Sequence, residues 1–160
     1  MDLGIVIKRD VDPGTYLFTD LFQGFENVRP VRATFGAKTR VILSSIKVIL
    51  SIHRGYMHID DKSGNLYVSY SYFKSADERY IYLDLIHELV HIRQFREGKE
   101  LFDERYDYVD RPTEIEAYQT AIKEARRIGF DGGDLIEYLK VDWVSESDFR
   151  RFLRTLGIDA

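Results

Sequence analysis

Cysteine is absent from this chain of 160 residues, which excludes a disulfide framework and any thiolate metal site and leaves His, Asp and Glu as the strong ligands on offer. Long apolar runs are missing too. The longest apolar-rich stretch, Val41 to Ile52, is interrupted by Ser44, Ser45, Lys47 and Ser51 and falls well short of the roughly 20 residues a bilayer span needs. It reads as a core segment, and no membrane association is expected. Basic clusters are equally scarce: the net charge is −4, and Lys and Arg are scattered among acids, so no footprint for a phosphate backbone is visible and nucleic acid is not an expected partner. Met1 to Asp12 alternates apolar and charged residues and lacks the basic and apolar segments of a secretory signal; the default expectation is a cytoplasmic protein. What is present is a hydrophobic fraction of 44%, enough to close one core, and a length that fits a single domain over 1–160.

The texture changes along the chain. Asp12-Pro13-Gly14 marks a turn, followed by a short helix through Tyr16, Leu17, Leu21 and Phe22. From about Val31 to Phe73, β-branched and aromatic residues punctuated by His53-Arg54-Gly55 and by Asp60 to Asn65 predict strands joined by tight turns, with Leu66 to Phe73 the clearest strand. At Ser75 the period switches from two to 3.6. Ser75 with Glu78 reads as a capping box opening a helix that runs to about Glu97 and stops at Gly98. Pro112 opens a further helix through Ile128, closed by Gly129. Shorter helices are predicted near Asp134 to Leu139 and from Glu146 to Leu156, the last capped by Ser145.

His87-Glu88-Leu89-Val90-His91 falls inside the first long helix. Histidines four apart lie one above the other on a helical face, so both imidazoles can reach one cation from rigid backbone. Glu88 then projects beside them, where a carboxylate can take a proton from a metal-activated water and pass it to a leaving amine. The alternative is a pair of satisfied core histidines beside a surface acid. A hydrolytic zinc site normally has three protein ligands and one open position. No histidine follows His91, and His53 and His58 lie upstream, whereas the known continuations of this motif place the third ligand downstream, so the third ligand is expected to be a carboxylate on the Pro112–Ile128 helix. At 100° per residue Glu114 points into an apolar stripe of Ile115, Ala117, Tyr118, Ala121, Ile122, Ala125 and Ile128, whereas Glu116 shares a polar face with Gln119, Lys123 and Arg127. An acid in a buried stripe needs a charged partner. Glu114 is therefore the expected third ligand; its rival reading is a buried partner for an arginine.

Together with Arg111-Pro112-Thr113-Glu114-Ile115-Glu116-Ala117-Tyr118, the motif resembles the gluzincin branch of zinc peptidases, which includes the minigluzincins and the ImmA/IrrE-type regulators. The resemblance covers about a fifth of the chain. It implies an α+β, zincin-like domain with an N-terminal mixed or antiparallel sheet, an active-site helix, a glutamate helix and a small helical C-terminus. It further implies Zn2+ held by His87, His91 and Glu114, Glu88 as general base, and a peptide or protein substrate. Tyr118 stands where that branch often has Asp or Asn, so a carboxylate orienting a ligand histidine has to come from elsewhere, with Asp84 or Glu116 as candidates. In zincins an edge strand pairs with extended substrate, a role that Leu66 to Phe73 would fill. Tyr106, Tyr108 and Tyr118 are candidates for oxyanion stabilisation, and the loop Lys99 to Arg111 is expected at the cleft rim. The alternative function is a catalytically silent or latent zinc-binding protein on the same scaffold. A nucleic-acid-binding regulator would have only Arg150, Arg151 and Arg154 to draw on, which read better as a solvated face.

Overall fold

A computed structural model describes residues 2–159 and shows an α+β fold. A short ribbon pairs β1 (Val6–Ile7) with β3 (Phe22–Gln23) in antiparallel fashion. Gly24, next to it, has φ +92°, and a Cβ there would lie 2.3 Å from the Gly4 carbonyl oxygen, so glycine is required where the two segments cross. The main sheet has four strands in the order β2 (Gly14–Leu17), β4 (Lys47–Ser51), β6 (Leu66–Ser69) and β5 (Met57–Ile59). Only the β4–β6 pairing is parallel, with Val48 opposite Leu66; the other two are antiparallel. The sheet is therefore mixed. Buried Val48, Leu50, Leu66 and Val68 turn its inner face to the core.

Between β2 and β4 the chain forms α1 (Phe18–Leu21), α2 (Arg29–Phe35) and α3 (Thr39–Ser45). After β6 come α4 (Tyr70–Ser75), the central α5 (Glu78–Arg96), α6 (Pro112–Arg127), α7 (Gly132–Leu139) and α8 (Glu146–Thr155). Helix α5 packs against α6, α2 and β5. Enclosed this way it is buried from Ile81 through Ile92 on nearly every face, Asp84 being the partial exception, the pattern of a helix that serves as core. Phe18, Phe22, Phe25, Phe73 and Tyr82 form an aromatic cluster beneath its first half, with ring centroids 5.0–6.3 Å apart. These separations suit edge-on and tilted packing, worth about 0.5–1.5 kcal/mol per pair beyond area burial. Among the described residues no helix is long and apolar enough to cross a membrane.

Several predicted elements are relocated. The region from Val31 to Ser45 is helical rather than stranded: Val31 and Phe35 are buried at i,i+4, and Thr39, Ile42 and Leu43 at i, i+3, i+4, a helical period that outweighs β-branching. The strand expected over Leu66 to Phe73 stops at Ser69, because its neighbours run out there, with Ser51 and Met57 their last paired residues; Tyr70 onward coils into α4. Consequently Ser75 ends a helix instead of capping one, its hydroxyl donating to the Ser71 carbonyl. Asp77 caps α5 by accepting from the Arg79 amide, as an N-cap carboxylate does. The short helix predicted across Tyr16 to Phe22 reduces to α1. The stops at Gly98 and Gly129, with φ +79° and +104°, the opening of α6 at Pro112 and the Ser145 cap of α8 follow the sequence reading.

Candidate metal centre

The rigid pairing of α5 with α6 brings the site together. His87, Glu88 and His91 project from the middle of α5, and Glu114 enters from the first turn of α6; all four are 6–7% exposed. The His87 and His91 Nε2 atoms lie 3.1 Å apart, and Glu114 Oε1 lies 3.0 Å from the first and 2.5 Å from the second. Glu88 joins the group with ligand atoms of His87, Glu88 and His91 all within 4.8 Å of one another, so these residues could hold a metal ion. Glu88 stands slightly apart, its Oε1 4.0 Å from His87 Nε2, and its Oε2 is buried without a partner among the described residues.

Proton accounting tests whether this set fits a cation. His91 Nδ1 is 2.7 Å from Gln94 Oε1. An amide oxygen can only accept, so Nδ1 carries the proton and a neutral His91 presents a bare Nε2 lone pair. That lone pair faces a carboxylate oxygen, which is also only an acceptor. Two acceptors 2.5 Å apart require a positive charge between or upon them, and the donor set of two imidazoles and one carboxylate is one that suits zinc. The electrostatics agree. Burial alone would lower the His91 pKa, yet the hydrogen bond to Glu114 and the charge of Glu88 raise it to about 9, so the proton is held where a metal would otherwise be attracted. Burial opposes ionisation of Glu114, but the hydrogen bonds from the two histidines keep its carboxyl well below the ordinary range. Burial dominates at Glu88 and pushes its pKa well up.

Behind the histidines, the support differs from expectation. Gln94, fully buried and three residues after His91, orients that imidazole; its own amide nitrogen donates to Glu116 Oε1 at 2.7 Å and to the Thr113 carbonyl at 3.1 Å. Glu116 also accepts from Arg93, so it is a brace behind Gln94, not a freely solvated acid. Asp84 instead accepts from the hydroxyls of Tyr72 and Tyr138 and orients neither histidine. His87 Nδ1 is buried with no partner; the Tyr118 ring packs on its imidazole with centroids 4.1 Å apart. Gln94 had a readable signal, a helix position i+3 from a ligand, that the sequence reading passed over.

The group opens into a cleft of about 400 Å3. Its walls include Met57, His58 and Ile59 of β5, together with Leu101, Phe102, Tyr108 and Arg111 from the connection before α6. The sheet edge at this cleft is thus β5, whereas β6 is interior, between β4 and β5. Tyr108 and Tyr118 share a 2.6 Å hydroxyl–hydroxyl hydrogen bond in the wall, while Tyr106 is 42% exposed and outside it. Comparisons with protein-family models, with curated proteins and with solved structures returned no match.

Proposed function

We propose that this protein is a zinc-dependent peptidase of gluzincin type on a zincin-like α+β scaffold, with His87, His91 and Glu114 as ligands and Glu88 as general base. The observation that carries this reading is the convergence of three buried donor atoms at 2.5–3.1 Å beside a carboxylate whose Oε2 is unpartnered. A purely structural site has no use for such a base and would usually close its fourth position with another ligand. Zinc, when bound, supplies Lewis acidity that polarises a carbonyl and acidifies a water.

The remaining work falls to the chain's own side chains. Glu88 Oε2 accepts the proton of the attacking water, holds it in a water-poor pocket that favours the neutral acid, and returns it to the departing amine. Gln94 fixes the His91 tautomer and ring plane. The Tyr108–Tyr118 pair has two hydroxyl protons and uses one in its mutual bond, so one remains to donate to oxyanion charge developing on the carbonyl. The free edge of β5 offers main-chain donors and acceptors to an extended peptide. A second reading, a catalytically silent or latent zinc-binding protein, draws on the burial of Glu88, only 7% exposed.

The deciding experiment compares zinc-loaded wild type with Glu88→Gln on a mixed peptide library, with zinc content measured in both. Cleavage by wild type that falls by about a thousandfold or more in Glu88→Gln, at unchanged zinc content, is the expected outcome. Equal zinc with no cleavage by wild type would favour the silent protein, and equal cleavage by the two would remove Glu88 as the base.

A further inference from the structure

Two arginines line the cleft, Arg54 and Arg111, of which Arg54 is exposed to solvent; the other arginines near the site are spoken for. Arg93 pairs with Glu97 and Glu116, Arg105 takes both oxygens of Asp103, and Arg151 takes both oxygens of Asp110 as well as Asp148. Arg111, the residue capping α6 three positions before Glu114, has no acid paired with it among the described residues. Asp103, which feels the charge of Arg111 only weakly, is already occupied by Arg105. The Arg111 guanidinium is instead held against two aromatic faces, 6.0 Å from the Phe102 centroid and 5.9 Å from that of Tyr108. Its Nε is buried with no hydrogen-bond partner among the described residues, and the residue lines the same cleft as His87, Glu88, His91 and Glu114.

A guanidinium immobilised by aromatic contacts loses little freedom when it meets a planar anion, and its fork matches a carboxylate in bidentate fashion. A buried N–H left without an acceptor is unfavourable, so an acceptor that arrives with a ligand is favoured there. A carboxylate entering the cleft meets at Arg111 a guanidinium already held in place, whereas Arg54, the other arginine of the lining, is exposed. Resting on the peptidase reading above, the geometry points to Arg111 as a specificity-determining residue that anchors a substrate carboxylate, either an acidic side chain near the scissile bond or the free C-terminus of a short peptide.

The test uses octapeptide mixtures randomised over uncharged residues in three forms: amidated at the C-terminus, amidated with one central Glu, and with a free C-terminus. Binding is measured by fluorescence anisotropy to zinc-loaded Glu88→Gln protein and to the same protein carrying Arg111→Gln or Arg111→Lys; cleavage is measured with Glu88 restored. The expected result is a preference of about tenfold to a hundredfold for a carboxylate-bearing form over the neutral one, the range of one charge-assisted contact. Arg111→Gln abolishes this preference while binding of the neutral form is unchanged, and Arg111→Lys recovers part of it. Because each ratio is taken within one variant, a general loosening of the fold does not imitate the result. Preference for the Glu form assigns the anchor to a side chain, and preference for the free terminus assigns it to the C-terminal carboxylate. An Arg111-dependent binding preference without cleavage would keep this inference and sink the peptidase reading. Cleavage or binding with no carboxylate preference, a preference that survives Arg111→Gln, or no binding of any form would overturn the inference itself.

Discussion

Helix α6 carries two buried carboxylates, Glu114 in its first turn and Glu124 near its end, and the fold answers them differently. Glu124 receives a hydroxyl proton from buried Tyr82 and both a 2.6 and a 2.8 Å hydrogen bond from Arg127. Burial alone would raise its pKa, but these donors hold it below the ordinary value. Its charge is neutralised from within the chain, and the arrangement is complete. Glu114 meets two imidazoles, one of which has its Nδ1 proton committed to Gln94, and among the described residues no arginine pairs with it. The rival reading of Glu114 as an arginine's partner describes Glu124 instead. A buried acid with an arginine of its own belongs to the architecture; a buried acid held only by two imidazoles, whose proton a metal ion can replace, is a candidate ligand.

The largest expected effect separates the two acids with one substitution. Glu114→Leu should weaken zinc binding by more than about 100-fold, since even outer partners of a metal site are worth about 10–100-fold. Glu124→Leu should leave zinc affinity unchanged but cost about 1–3 kcal/mol of stability in urea, because the Tyr82 hydroxyl is left buried without an acceptor. Zinc loss in both variants, or in neither, would break the comparison. Next in size is Gln94→Leu, expected to lower zinc affinity about 10–100-fold by releasing the His91 ring, with the fold intact by circular dichroism; unchanged affinity would mean that Gln94 is only a packing residue.

Asp84 sharpens the comparison with a third kind of acid, one given neutral donors. Burial raises its pKa to about 6 despite the Tyr138 and Tyr72 hydroxyls. Its folded value lies above its unfolded one, so the native state binds the extra proton. The associated stability is fully present below about pH 4 and is lost as pH rises through about 6. Urea unfolding of the metal-free protein should show a decline of about 1–3 kcal/mol over that window, absent in Asp84→Asn. A decline of the same size in Asp84→Asn would place the titrating group elsewhere.

The parts of the site that were legible in the sequence are those fixed by spacing along one helix. His87 and His91 four apart, and Glu114 inside an apolar stripe, depend only on a period of 3.6 and on the cost of burying a charge. Glu124 was passed over although Arg127 stands at i+3, because its burial against Tyr82, a residue 42 positions away, depends on which helices pack together, which sequence spacing does not reveal. The β5 edge was missed for a related reason: strand order is set by pairing partners, and Leu66 to Ser69 shows the stronger alternation although it lies inside the sheet. Helices α2 and α3 were hidden by β-branched residues whose helical spacing becomes evident only over seven residues each.

The most direct test of the central claim is calorimetric titration of zinc into metal-free wild type, Glu114→Leu and Glu88→Gln. The account predicts one tight equivalent in wild type, similar binding in Glu88→Gln, whose side chain stands apart from the three converging donors, and loss of the tight equivalent in Glu114→Leu. Tight binding that survives Glu114→Leu, or wild type that takes up no zinc, would contradict it.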